Sequence, residues 1–185
     1  MKDRSDVTWK SRLARTVVFL IMRLVARVTI NGLENLPHSG SFVIASNHLG
    51  RLDPLLVYYL LDRQDVIMLV AEKYQKYALI RWFVAQLRGV FINRFNPDVH
   101  ALRTALNRMK QGEVLVLAPE GTRSKTEALI RAHPGVVYLA AKAGAPIVPV
   151  AIVGTEDRVV KARLRRLQRA DISVRVGRPF TLPGL

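Results

Sequence analysis

A single α/β domain, built on a mostly parallel or mixed central sheet with helices on both faces, is the fold this sequence predicts. Three observations point to it. Short runs of consecutive apolar residues recur along the chain, the pattern of strands covered on both faces. Segments with helical spacing alternate with these runs, as the crossovers of an α/β sheet require. The chain has 185 residues, 50% of them hydrophobic, enough for one sizeable core. No repeat, low-complexity tract or linker divides it.

The N-terminal segment, residues 1–31, carries seven Lys/Arg against Asp3 and Asp6. Within it Leu13, Val17, Leu20, Leu24 and Val28 recur at helical spacing, while Arg12, Arg15, Arg23 and Arg27 interrupt the run. That is far short of the ~20 apolar residues needed to cross a bilayer. Arginines inside the apolar stretch, with no small-residue cleavage site after it, also argue against a signal peptide. The segment reads as a basic, partly amphipathic membrane-associating helix lying in the interface, ahead of a domain spanning 32–185. The alternative is a first helix packed on the domain with a solvated basic face.

The remaining elements follow in order. Phe42–Ala45 reads as a buried strand, and Asp53-Pro54 as a helix start, with Asp53 as N-cap and Pro54 at the first helical position of Pro54–Leu61. Val66–Val70 is the next strand, Lys76–Leu87 a helix, Gly89–Ile92 a strand and Pro97–Lys110 a helix. Val114–Ala118, helix Pro134–Ala143, and strands Ile147–Ile152 and Ile172–Val176 complete the pattern. Gly112 and Gly144 fall just past two of the helices, where C-terminal stops belong.

Composition removes several chemistries. With no cysteine there is no disulfide, thiolate nucleophile or cysteine-bound zinc. The net charge of +15 and pI near 11.0 call for an anionic partner: a phosphate-bearing substrate, anionic lipid, acidic protein or nucleic acid. The charge concentrates in residues 1–31 and in 158–178, where eight basic residues face Asp171 alone. Single-strand nucleic-acid binders interleave aromatics with their basic residues, and 158–178 contains none.

Polar clusters follow three of the apolar strands, and strand ends are where sites of α/β sheets collect. After Phe42–Ala45 comes Asn47-His48-Leu49-Gly50-Arg51-Leu52-Asp53-Pro54. Histidine takes a proton near neutral pH, and a neighbouring carboxylate fixes its tautomer and steadies the imidazolium. His48 and Asp53 stand five residues apart, about 140° around a straight helix, so they meet only if His48 lies on the loop and Asp53 folds back toward it. Gly89–Ile92 leads into Asn93-Arg94, and Arg94 offers a planar fork of donors for a phosphate. Val114–Ala118 leads into Pro119-Glu120-Gly121-Thr122-Arg123-Ser124. There Gly121 lets backbone amides approach an anion, Thr122 and Arg123 add donors, and Glu120 accepts from a hydroxyl or orients an arginine. Each residue alone also has an ordinary reading: solvated histidine, helix cap, surface cation, structural ion pair, turn glycine. Their joint occurrence after three strands is what points to a site.

Taken together, these motifs resemble the glycerolipid acyltransferase family, which includes glycerol-3-phosphate and 1-acylglycerol-3-phosphate acyltransferases (the lysophosphatidic acid acyltransferase type). His48 and Asp53, with Asn47 before and Pro54 after, match the family's His-x4-Asp. Gly89-Val90-Phe91-Ile92-Asn93-Arg94 matches a second motif, Pro119–Ser124 a third and Ile147–Ile152 a fourth, so that the likeness covers roughly Val28 to Phe180. The chain departs from the family at Gly50, where many members have serine and substitution is expected to be tolerated. His133, in Arg131-Ala132-His133-Pro134-Gly135, stands where a lysine is common.

The resemblance implies transfer of a fatty acyl group from a thioester, carried by acyl-CoA or acyl carrier protein, to the hydroxyl of 1-acylglycerol-3-phosphate. It makes His48 the general base and Asp53 its partner. Arg94, Glu120, Gly121, Thr122 and Arg123 form the phosphate site, with no metal and no cofactor. It also implies a peripheral or monotopic enzyme of phospholipid biosynthesis on the cytoplasmic face of the cell membrane, meeting an anionic membrane surface and no nucleic acid. The alternatives are another acceptor, such as glycerol-3-phosphate, a lyso-ornithine lipid or another lysophospholipid, and a non-catalytic basic module that binds membrane or nucleic acid. A metal hydrolase using His48, Asp53 and His133 lacks a compact ligand spacing.

Overall fold

Helix α1 (Trp9–Val25) passes directly into strand β1 (Ala26–Asn31). The chain then forms β2 (Val43–Ser46), α2 (Asp53–Leu60), β3 (Val66–Ala71), α3 (Ala78–Gln86), β4 (Val90–Ile92), α4 (Val99–Lys110) and β5 (Val114–Leu117). It ends with α5 (Gly135–Ala143), β6 (Ile147–Val153), α6 (Asp157–Arg165) and β7 (Ala170–Val176). This computed structural model describes residues 8–61, 63–93, 98–124, 128–129 and 131–182.

The strands make one seven-stranded sheet in the order β1-β7-β6-β2-β5-β3-β4. Neighbours from β6 to β4 are parallel, β7 runs antiparallel to β6, and β1 runs parallel to β7. The sheet is therefore mixed. The C-terminal ends of β2, β5 and β6 lie at one end of it, which is also where β7 and β1 begin.

Alternation along the central strands explains the two cores. Phe42 and Ile44 pack with Leu56 of α2, Val18 and Met22 of α1 and Val160 of α6 on one face. Val43, between them, packs with Ala105 and Met109 of α4 and Leu139 of α5 on the other. Burying both faces requires apolar residues at successive positions, which is why these strands read as continuous runs. Toward β6 and β7 the second face stays uncovered among the described residues. Ala151, Val153, Asp171, Ser173 and Arg175 are exposed while their neighbours are buried, and this period-2 alternation is the mark of a sheet wetted on one side.

Two features differ from the sequence reading. The helix expected across residues 1–31 stops at Val25, and Ala26–Asn31 is a strand of the sheet with Ala26 opposite Ala170. Ala14, Val18 and Met22, at i, i+4 and i+8, are buried. The Arg15 guanidinium also donates to the carbonyl of Leu61 at 3.1 Å. Trp9–Asn31 thus belong to the folded domain: α1 supplies core and β1 supplies an edge strand. The stripe of Leu13, Val17, Leu20 and Leu24 lies on the other side of α1, where Leu13, Leu20 and Leu24 are 46, 53 and 70% exposed. The second difference is α6, whose sequence reads as a charged segment because only Val160 of its nine residues is buried. No helix among the described residues is long and apolar enough to cross a membrane.

Candidate active site

The loop between β2 and α2 is held at both ends by backbone chemistry. Asn47 leaves the sheet by making a two-way bond to β6: its Nδ2 donates to the Ile152 carbonyl at 2.8 Å and its Oδ1 accepts the Ile152 N–H at 2.7 Å. Asp53 is the first residue of α2 rather than its cap; Leu52 takes the capping position and makes no side-chain bond. The Asp53 carboxylate instead turns back over the loop. Its Oδ2 accepts the N–H groups of Leu49 and Gly50 at 2.8 and 2.9 Å and lies 2.7 Å from Nδ1 of His48. An oxygen that already accepts two amide protons acts as an acceptor toward His48, so Nδ1 is the donor of this pair, and in the neutral ring that tautomer puts the lone pair on Nε2. Asp53 is 4% exposed, and its place in the first turn of α2 suits a negative charge.

Neighbouring loops brace this pair. Ser124 donates its N–H to the His48 carbonyl at 2.9 Å, joining the loop after β5 to the loop after β2. Gly50 meets the turn after β6 so closely that a Cβ there would stand 1.6 Å from the Thr155 carbonyl oxygen. The expectation that this position tolerates substitution is therefore wrong for this chain, because the space a serine would need is occupied by backbone. Asp157 at the start of α6 accepts the Arg51 N–H on Oδ1 at 2.9 Å and Nη1 of Arg123 on Oδ2 at 2.6 Å.

A cavity of about 330 Å³ opens at this end of the sheet. His48, Asp53, Gly121, Thr122 and Arg123 all line it, so residues far apart in sequence share one space. Val57, Met68, Val70, Val116, Val136 and Leu139 give the cavity an apolar wall. Glu120, in the loop of Gly121, Thr122 and Arg123, is 5% exposed. Arg94 lies outside the described residues. Just beyond it Asp98 caps α4 through the Ala101 N–H and also accepts the Asn93 N–H, each at 3.0 Å. Those two backbone hydrogen bonds hold its carboxyl below the usual range.

Several lining or bracing residues escape a reading of the sequence alone. Lys73 and Tyr74 reach the cavity from a 3-10 turn, Glu72–Tyr74, after β3; a cation following an apolar strand was the available signal. Asp157 and Thr155 carry no local mark, since their importance lies in which loop they touch. His133 lines the cavity with its ring against Gly121, where a Cβ would stand 3.2 Å from Cδ2. Gly121 has φ +64, a left-handed conformation that glycine adopts without strain. No group of three His, Asp or Glu residues among those described is arranged to hold a metal ion.

The family model described as Acyltransferase matches residues 27–153, a span that includes the loops carrying His48, Asp53 and Gly121–Arg123 but ends before Thr155 and Asp157. A chloroplastic 1-acyl-sn-glycerol-3-phosphate acyltransferase of Brassica napus is 31% identical over 158 residues, covering 83% of this chain and 45% of that protein. The 1-acyl-sn-glycerol-3-phosphate acyltransferase of Bacillus subtilis is 30% identical over 139 residues, 73% of this chain and 67% of the relative. The chain thus spans under half the length of the plant relative. In fold, it is similar to the crystal structure of the 1-acyl-sn-glycerophosphate (LPA) acyltransferase PlsC from Thermotoga maritima. The TM-score is 0.77 at 24% identity, over 100% of this chain and 75% of the other. With its motifs inside the matched span and its loops converging on one cavity, the chain belongs to the acyltransferase family.

Proposed function

We propose that this protein transfers a fatty acyl group from a thioester to the hydroxyl of 1-acylglycerol-3-phosphate, with His48 as general base. The observation that carries the reading is the 2.7 Å contact between His48 Nδ1 and Asp53 Oδ2 in the wall of a mainly apolar cavity. His48 Nε2 takes the proton of the acceptor hydroxyl as its oxygen attacks the thioester carbonyl. The new ester C–O bond forms, the C–S bond breaks, and His48 returns the proton to the departing thiolate. Asp53 holds the ring and steadies the imidazolium meanwhile. A thiol, with a pKa near 8.5 for the cysteine analogue, leaves without strong acid help. No protein nucleophile is needed, in keeping with a chain that has no cysteine.

The acceptor phosphate is assigned to Arg94, to the Gly121 and Thr122 loop and to Arg123, with Glu120 supporting that loop. Arg123 is held in place by Asp157, and Arg94 supplies the second cation. The apolar wall suits an acyl chain. Holding hydroxyl and carbonyl together is where much of the rate arises. Acceptor identity rests on the names of the relatives; the donor is acyl-CoA or acyl carrier protein. An acyl-transfer assay crossing both donors with glycerol-3-phosphate and its 1-acyl form tests the reading. Transfer to the 1-acyl form supports it, and transfer to glycerol-3-phosphate alone refutes it.

We further propose that α1 rests on the cytoplasmic face of the cell membrane. At 100° per residue, Trp9, Leu13, Leu20 and Leu24 fall within an arc of about 60°. All four are exposed, opposite the buried Ala14, Val18 and Met22, with Arg12 and Arg23 alongside. A helix apolar on two sides, one of them outward and edged by cations, suits the interface of an anionic bilayer.

A further inference from the structure

The turn that joins α6 to β7 is not part of the cavity wall, yet it carries the most exposed large apolar side chain described. Leu167 is 97% exposed and has φ +55. Leucine is a poor choice for a left-handed residue, because its Cβ crowds the following carbonyl where glycine would not. The backbone closes the helix end there, with the N–H groups of Leu167 and Gln168 donating to the carbonyls of Leu164 and Arg163, each at 3.0 Å, but the side chain itself is left in solvent. Every residue from Lys161 to Arg169 is exposed. Lys161, Arg163, Arg165, Arg166 and Arg169 stand among these nine without an acidic residue. Arg163 is paired with Asp171 at 3.2 Å.

Strand register locates the turn. Ala26 is opposite Ala170, so the C-terminal end of α1 and the turn lead into neighbouring strands at the same end of the sheet. Val18 and Met22 of α1 share a core cluster with Val160 of α6, so both helices cover the same face. Leu24, 70% exposed, with Arg23 and Arg27, therefore lies toward the same corner as Leu167. This is also the end of the sheet that bears His48.

We propose that the α6–β7 turn is a second docking point for an anionic lipid surface, with Leu167 entering the interface and Arg165, Arg166 and Arg169 engaging lipid phosphates. The proposal rests on the membrane placement of α1. The shape of the turn favours lipid over an acidic protein: a projecting leucine ringed by cations needs only a soft apolar layer beneath charged headgroups. Arginine stems add apolar surface while their heads stay at the phosphate level. Two contacts fix the rotation of the domain about α1, which one helix alone leaves free, and so set how the cavity meets the bilayer.

The absence of cysteine makes the test site-specific. Leu167→Cys, labelled with an environment-sensitive dye, is mixed with phosphatidylcholine vesicles with or without phosphatidylglycerol, and sedimentation is measured on the same samples. The expected result is blue-shifted, brighter emission only with phosphatidylglycerol. In the unlabelled protein, changing Arg165, Arg166 and Arg169 to Gln should lower vesicle partitioning about fivefold per residue, or about a hundredfold together at low salt. Sedimentation with the dye still in water overturns the role of the turn and leaves that of α1 intact. No sedimentation at all overturns both. A dye that responds to acyl carrier protein but not to vesicles overturns the lipid assignment in favour of an acidic protein.

Discussion

Asp157 Oδ2 lies 2.6 Å from Nη1 of Arg123, and the same carboxylate accepts the backbone N–H of Arg51 on its other oxygen. One side chain at the start of α6 thereby joins the loop that carries His48 to the loop that lines the cavity opposite it. The pair is partly exposed, and exposed ion pairs contribute at most about 1 kcal/mol to stability. Its consequence belongs to geometry.

Removing Asp157 should therefore act on the acceptor more than on the fold. Asp157→Ala is expected to raise KM for the phosphorylated acceptor about threefold to tenfold, the size of one modest polar contact, with donor KM nearly unchanged. In an Arg123→Ala background the same change should add little, because coupled residues are not additive. Steady-state kinetics on the four proteins of the cycle checks this. Full additivity would separate the two residues.

His48→Ala should lower turnover by about 10²–10⁴, the usual contribution of a general base, while circular dichroism stays that of the folded protein. Asp53→Asn should fall less far. It keeps an acceptor oxygen for the Leu49 and Gly50 amides but loses the charge that steadies the imidazolium. Near-normal transfer by His48→Ala would end the catalytic assignment.

Gly50→Ala and Gly50→Ser should both be damaging, since either Cβ runs into the Thr155 carbonyl. Overpacking of this kind costs about 1–3 kcal/mol, and relief requires the His48 loop to move away from the turn after β6. Thermal unfolding should show a lower Tm, and kcat should fall with it. A serine variant of unchanged Tm and kcat would show that the two loops separate freely.

Arg94→Ala should raise KM for the phosphorylated acceptor far more than KM for the donor. Losing a charge-assisted contact costs about 1.5–3 kcal/mol, roughly tenfold to more than a hundredfold, and lysine should restore only part because it lacks the planar fork. Equal losses toward both substrates would make Arg94 structural.

A membrane test on α1 must spare its inner face. Deleting the helix would remove Val18 and Met22 from the core, so loss of binding by such a variant would report unfolding. Leu20→Gln with Leu24→Gln alters only exposed positions. It should reduce vesicle partitioning about tenfold or more without changing Tm. Salt should weaken the remaining binding of wild type by screening its arginines, the Debye length being about 8 Å at physiological ionic strength.

Much of this molecule was legible in its residues. The central strands are continuously apolar because both faces are buried, and the glycine stops after α4 and α5, Gly112 and Gly144, are local chemistry that the chain states by itself. The start of α2 was not, since Asp53 turns back to His48 instead of capping the helix. The five-residue spacing of His48 and Asp53 excludes a shared helical face, and so already implied a loop that folds back. The order of motifs after successive strands placed Gly121, Thr122 and Arg123 at the same end of the sheet as His48.

What only tertiary structure decided are relations between distant segments. Ala26–Asn31 follows a helix without a break, and its strand character comes from pairing with β7, a partner more than a hundred residues away. Both stripes of α1 are apolar, Trp9, Leu13, Leu20 and Leu24 on one side and Ala14, Val18 and Met22 on the other; which one faces the core depends on α2 and the sheet beneath it. Gly50 became intolerant and Asp157 became a brace because the turn after β6 arrives beside the loop after β2. Local propensity has no term for that meeting, since the interactions that decide it join residues about a hundred positions apart along the chain.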